Sequence, residues 1–314
     1  MRQMYYEKRV PKFHRIYLHI REDPYIAIYD AAKKEHMSRT TVSRYLQEMY
    51  NLSILAGPGI FVNPAKNYHQ YVYFLQFEDP LSIYTHSEEL SFMLFRSVEF
   101  GDWNSLIITD KMMDFSSLKG FKRSFFQGSK GLTHFSAVVS LDWDACLQAM
   151  YDAAAPPRKK SSLYQEIPKN PWDTKEWILY QGFKKNIRIT KKYALQKFKI
   201  RYPFYQDWMR TLSQYAEIQT AFYPQQLDHF FAVDFLFESE YHTQLKDILG
   251  MLPSTSIFFS VGTHLLARLF YSSKKEKEEL LTFILWLRKK GYYTNVYNAA
   301  VISSIHEDKG VIMV

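Results

Sequence analysis

One cysteine, Cys146, stands in 314 residues. A single thiol excludes an intrachain disulfide and a thiolate metal cage, and it suits a reducing compartment. The chain also lacks a long apolar run. The longest, Leu280 to Leu287, is far short of a membrane span and lies between Lys/Glu and Arg/Lys clusters. Met1 to Arg9 carries charges and tyrosines where a signal peptide would need apolar residues. A cytoplasmic chain with no membrane partner is expected. No His-Glu-x-x-His zinc motif, P-loop, dinucleotide fingerprint or nucleophile elbow occurs. The sequence therefore points to no catalytic residue, no metal and no cofactor.

What is present is a repeat. Phe77-Glu78 recurs as Phe237-Glu238, Pro64 as Pro224, His69 as His229, and Gly101 as Gly262, so a unit near 160 residues is written twice. The repeated histidines stand at strand starts, where a structural role is the ordinary one. Charge is segregated as well. Residues 1–60 hold ten Lys/Arg against six Asp/Glu, and 156–215 hold fourteen against four. A basic head in each copy suits a polyanion that meets the heads, although a solvated basic face has the same composition.

The first head reads as three helices. Phe13, Ile16, Tyr17 and Ile20 recur at helical spacing up to Glu22-Asp23-Pro24. A second helix spans 26–36, and Ser38 is a good N-cap for a third over 39–50. On that helix Val42, Tyr45, Leu46 and Met49 form an apolar stripe, while Arg39, Thr40, Ser43, Arg44 and Gln47 take the other face. Ile54-Leu55, Gly57-Pro58-Gly59 and Ile60-Phe61-Val62 predict a two-stranded hairpin wing. This is the logic of a helix-turn-helix, with Ser38, Arg39, Thr40, Thr41, Ser43, Arg44 and Gln47 as candidate DNA contacts. A helical hairpin with a solvated face is the plainer reading. In the second head, helices are expected over 177–183, 191–199 and 202–215, with a reduced wing at 218–223. There Lys184, Lys185, Arg188, Lys191, Lys192 and Arg201 supply phosphate attraction, and the aromatics Tyr202, Phe204, Tyr205 and Trp208 favour packing over base readout.

Each tail reads β-α-β-β-α-β. In the first, strands are expected at 71–77, 94–100, 105–108 and 133–141, with helices at 83–90 and 112–126. In the second, strands are expected at 230–237, 256–261, 264–271 and 299–305, with helices at 241–249 and 275–289. The domain plan is a head over 1–64, a tail over 65–151, an exposed linker over 152–172, a diverged head over 173–225 and a tail over 226–314.

Heads and tails together resemble the Lrp/AsnC family of prokaryotic transcription regulators. The resemblance rests on Ser38 to Leu46, the crossover Gly59-Ile60-Phe61-Val62-Asn63-Pro64, and the turns Val98-Glu99-Phe100-Gly101-Asp102-Trp103 and Val261-Gly262-Thr263-His264. It implies an α+β fold of two winged helix-turn-helix heads and two ferredoxin-like (RAM) domains that pair as an internal pseudodimer. Binding of double-stranded DNA follows, with an amino acid or other small-molecule effector near Gly101, Asp102 and Gly262. The second copy lacks the acid after its glycine. A DNA-binding regulator that is not an enzyme is thus the main expectation. The alternatives are a tetrapyrrole decarboxylase, because Lrp-like folds also resemble the siroheme decarboxylases of alternative haem synthesis, and a protein-interaction scaffold.

Overall fold

The structure is a computed structural model that describes residues 8–81, 93–157, 159–189 and 191–306. It is α+β with antiparallel sheets, and the chain divides into two compact units. One gathers residues 1–63 with 170–228, and the other 64–169 with 229–314.

The first unit holds both heads. Helices α1 (Val10–Glu22), α2 (Ile28–Lys34) and α3 (Arg39–Asn51) lead into strand β1 (Leu55–Val62). The apolar stripes close on one another: Phe13, Ile16, Tyr17, Ile20, Val42 and Met49 are fully buried. The second head begins at α5 (Thr174–Phe183), preceded in the chain by α4 (Trp143–Ala153) of the other unit. It continues with α6 (Lys191–Phe198), α7 (Tyr202–Thr211) and a 3-10 turn at Leu212–Gln214, so the helix expected over 202–215 ends four residues early. Its last strand is β7 (Ala216–Phe222).

The expected hairpin wing is not formed. β1 runs through Gly57-Pro58 as an irregularity in one strand and pairs antiparallel with β7, from Leu55 opposite Phe222 to Val62 opposite Ala216. Proline cannot donate to a ladder, so it sits where the register shifts between Ala56 and Gly59. Gly57 has φ +88°, and a Cβ there would lie 2.8 Å from the Gln219 carbonyl oxygen. The pairing exchanges side chains between heads. Ile60 of β1 enters the core of Leu179, Phe183, Tyr205 and Trp208, while Phe222 of β7 stacks on Tyr17 at 4.8 Å.

The second unit holds one nine-stranded sheet in the order β5-β2-β4-β3-β11-β8-β10-β9-β6. Its first half is β2 (Tyr71–Phe77), β3 (Met93–Gly101), β4 (Ser105–Thr109) and β5 (Phe121–Ser129). The second is β8 (Phe231–Glu238), β9 (Ile257–Val261), β10 (His264–Tyr271) and β11 (Asn295–His306), with the short β6 (His134–Phe135) at the edge. Each half places its own strands fourth, first, third, second, so the repeat is a repeat of topology. One seam between halves is β3 against β11. At the other, Lys130 bridges Val261 and Gly131 donates to the Ser260 carbonyl at 2.8 Å, which returns the sheet on itself.

Three further expectations change. The helix over 112–126 is replaced by β5, because Phe121 and Phe126 take places opposite Phe77 and Phe74 on β2, where aromatic residues pack well on a pleated surface. The strand over 133–141 shrinks to His134–Phe135, and Asp142, whose side chain accepts from the Ala145 N–H at 2.8 Å, caps α4 instead. The stretch 152–172 is not an exposed linker throughout: Ala154 and Leu163 join the core of the second half, and Trp172 is buried in the head unit. The helix expected over 83–90 lies outside the described residues. That second-half core packs α4, α8 (His242–Leu249) and α9 (Lys274–Lys289) on one sheet face, through Met150, Leu245, Phe283 and Leu287.

Candidate functional site

On α3 the candidate residues share one face. Val42, Tyr45, Leu46 and Met49 point inward, and Arg39, Thr40, Ser43, Arg44 and Gln47 are exposed. They line an open depression with Glu48, Asn51 and Leu52. Ser38 caps the helix: its Oγ accepts from the Thr41 N–H at 3.1 Å and lies 2.8 Å from the Thr41 hydroxyl. Both hydroxyls are thereby used inside the turn. Glu48 accepts from Arg9 Nη1 at 2.5 and 2.6 Å, which offsets the one carboxylate beside the depression. The arginines there present a positive, donor-rich face fit for phosphate or carboxylate oxygens.

The second head divides its basic residues between roles. Arg188 is a brace, since its Nη1 donates to the carbonyls of Pro24 at 3.1 Å and Ile26 at 2.9 Å. Lys184 is half-buried over the Tyr180 ring at 5.5 Å, and burial, aided by Lys185, lowers its amine to about 8. Burial lowers Lys185 too. Lys191, Lys192 and Arg201 are exposed. Tyr205 and Trp208 are core residues, as packing rather than base readout requires. By sequence, the head unit carries twenty Lys/Arg against eleven Asp/Glu, and the sheet unit twenty against twenty-one. All the net positive charge therefore belongs to the head unit, and the sheet unit is slightly negative.

The turn residues of the sheet unit serve its seams. A Cβ on Gly101 would fall 2.3 Å from the Asn298 carbonyl oxygen. Asp102 donates its N–H to that oxygen at 3.0 Å and accepts from the Asn298 N–H at 2.7 Å. Gly262, with φ +54°, donates to the Ser129 carbonyl at 2.9 Å at the opposite seam. Gly101 and Asp102 are thus separated from Gly262 by strand order and are not gathered into one site.

A buried ionic cluster was not anticipated. Arg268 on β10 donates from Nε and Nη2 to the two oxygens of Asp234 on β8, each at 2.7 Å. Its Nη2 is 3.5 Å from Glu99 of β3, which also accepts from the Ser97 hydroxyl at 2.5 Å and from the Trp103 indole. Burial, reinforced by Asp234 and opposed by Arg268, pushes the Glu99 carboxyl well above the usual range. At the other seam Lys130 donates to Thr133 Oγ1 at 2.6 Å and lies over Phe259, and burial lowers its amine to about 7. The signal available in the sequence was a lone charge inside an apolar strand, as in Val98-Glu99-Phe100, Val233-Asp234-Phe235 and Ala267-Arg268-Leu269. These groups are sealed from solvent and hold the halves together. Among the described residues no three His, Cys, Asp or Glu side chains gather as a metal site would need, and no helix is long and apolar enough to cross a membrane.

No protein-family model matches the chain, and no curated protein matches it. Among solved structures it is similar to the siroheme decarboxylase NirDL, at 8% identity and a TM-score of 0.51, over 93% of this chain and 91% of that one. The likeness is one of fold. It corrects the expectation that the chain is not an enzyme. That expectation rested on a resemblance to regulators, whereas the solved structure whose fold this chain shares, over nine tenths of both chains, is a decarboxylase.

Proposed function

We propose that this chain is an enzyme of siroheme-decarboxylase type that acts on a carboxylated tetrapyrrole. The observation that carries the reading is the fold likeness to that enzyme over nearly the whole of both chains. In this reading the heads are diverged winged helix-turn-helix modules sharing one sheet of wings, and the halves of the nine-stranded sheet are ferredoxin-like units paired as an internal pseudodimer. Segregation of positive charge to the heads supports a substrate that carries several carboxylates. The reaction replaces a substrate carboxylate by a proton and releases carbon dioxide. Anaerobic incubation of the purified chain with siroheme, followed by mass spectrometry, tests it. Loss of the mass of carbon dioxide is expected, and an unchanged substrate would sink the reading.

A second reading is favoured by one specific observation, the exposed face of α3 with Arg39, Thr40, Ser43, Arg44 and Gln47 in a row. Such a face fits a DNA major groove, with Lys191, Lys192 and Arg201 of the second head adding phosphate attraction. Retention of genomic duplexes over random competitor across a salt series supports it, and failure to bind any duplex at low salt removes it.

A further inference from the structure

The sheet of the second unit returns on itself, and its inner face carries Glu99, Asp234 and Arg268. Residues opposite one another in a ladder share a face, and alternate residues along a strand return to it. Four residues along β8 and β10 from the ionic cluster, the inner face therefore ends in Glu238 and His264, which stand opposite one another, with Asn295 of β11 opposite Glu238 in turn. This row is a rim. Glu238 and His264 are half-buried and Asn295 is exposed, where the ionic cluster is sealed. Gly262, in the turn before His264, has nothing within 4 Å of where a Cβ would stand, so the approach is open there.

Strand β5 reaches over the same rim. Phe126 lies opposite Phe74 and Ser124 opposite Leu75, so Phe125 is an extra residue in its strand. Such a bulge re-aims side chains. Phe125 meets Tyr297 of β11 at 5.0 Å and Phe126 meets His264 of β10 at 4.2 Å between ring centres, although neither strand neighbours β5 in the sheet order. All four rings are half-buried. The mouth of a closed sheet is a common place for a small molecule to bind. Arg123, exposed with its guanidinium 6.0 Å from the centre of the Phe125 ring, donates its Nε–H to Gln76 Oε1 at 2.9 Å and leaves its other donors to a carboxylate.

His264 gives the rim its chemistry. Its Nδ1 is 3.2 Å from the Thr263 hydroxyl, and its Nε2 has no partner among the described residues. With the Nδ1 proton donated to that hydroxyl, Nε2 keeps its lone pair. Burial, opposed by Glu238 and aided by His242, lowers the imidazole and so favours this neutral form. A bare metal ion would need a larger ligand set, and no three His, Cys, Asp or Glu side chains gather among the described residues. An iron already held by four macrocycle nitrogens needs one imidazole.

We propose that His264, at the mouth of the closed sheet beside Phe125, Phe126 and Tyr297, is the axial ligand to the iron of a tetrapyrrole whose macrocycle packs against those rings. The proposal rests on the tetrapyrrole reading above and gives its substrate a place and a metal contact. Charge attracts a polycarboxylate at long range, and a metal ligand fixes where it rests.

The test is an anaerobic spectral titration of the full chain with siroheme and with its metal-free form, sirohydrochlorin. The unaltered chain should give the spectrum of imidazole-ligated iron. His264→Ala is expected to lose that spectrum, to bind siroheme about tenfold more weakly or worse, and to bind sirohydrochlorin within about twofold of the unaltered chain. Free imidazole added to the variant should restore the spectrum. Circular dichroism checks that the variant folds. A second measurement needs no variant: bound siroheme should shield His264 from carbethoxylation, mapped by mass spectrometry. An unchanged iron spectrum in folded His264→Ala, or equal modification of His264 with and without bound siroheme, overturns the proposal. If the unaltered chain binds no siroheme, the proposal and the decarboxylase reading fall together. If it binds siroheme through His264 and releases no carbon dioxide, only the decarboxylase reading falls.

Discussion

Arg268 grips Asp234 through two parallel hydrogen bonds of 2.7 Å inside the sheet, with both side chains at most 5% exposed. A buried pair of this kind is costly to break from one side, because the remaining charge has neither water nor partner. Arg268→Leu is expected to lower the stability of the sheet unit by about 3 to 5 kcal/mol. Adding Asp234→Leu should recover much of the loss. Urea denaturation followed by tyrosine fluorescence measures both, and equal losses in the single and double variants would contradict the pairing.

Glu99 gives the opposite pH dependence to a salt-bridged carboxylate. Its folded carboxyl titrates well above the ordinary 4.5 through burial and Asp234. Between those two values the native chain holds a proton that the unfolded chain has released, so stability falls as pH rises through the window and levels off above it. Glu99→Gln should remove this slope. Denaturation midpoints from pH 4 upward, on the order of one pH unit apart, would reveal it.

Lys130 is the complementary case. Its amine falls from the ordinary 10.5 to about 7 on burial, so the unfolded chain binds the extra proton between those values and stability rises with pH across them. Lys130→Met is therefore expected to stabilise most below pH 7, with the gain shrinking toward pH 10.5. Thermal melts of both chains at acid, neutral and alkaline pH check the sign. A gain that grows with pH would contradict it.

Two glycines at corresponding places should respond differently. Gly101→Ala drives a methyl to 2.3 Å from the Asn298 carbonyl oxygen and must open the β3 to β11 seam, at a cost of several kcal/mol, on the order of other overpacked sites. Gly262→Ala meets open space and pays only for φ +54°, about 1 kcal/mol. Hydrogen exchange at the β11 amides should accelerate in the first variant alone.

If the DNA-binding reading holds, Arg39→Ala or Arg44→Ala should weaken specific binding by about 1 to 3 kcal/mol where the guanidinium meets a base edge bidentately. Loss of Lys191 and Lys192 should lower affinity for every sequence and flatten the salt dependence. Equal losses on specific and random duplexes for Arg39→Ala would place that residue on the phosphates.

The head helices were legible because their information is local. Apolar residues recur at Phe13, Ile16, Tyr17 and Ile20, Ser38 caps α3, and Pro203 stands in the first turn of α7, so periodicity and capping within a dozen residues suffice. The face of α3 followed from the same pattern. The repeat of topology in the sheet was also visible, since each half keeps its own strand order.

The rest depended on partners distant in the chain. Gly57-Pro58-Gly59 reads as a hairpin tip until β7, some 160 residues on, offers a continuous ladder to β1. The segment 112–126 reads as a helix until β2 takes its second half, from Phe121, as a paired strand. Arg188 looks like a phosphate contact until the carbonyls of Pro24 and Ile26 claim it. What the sequence determined by itself was the local helices, their caps and polar faces, and the doubled plan. Only the tertiary structure decided which strands pair, which charges are buried and which rings meet, because pairing and exclusion of water act between segments that no local pattern brings together.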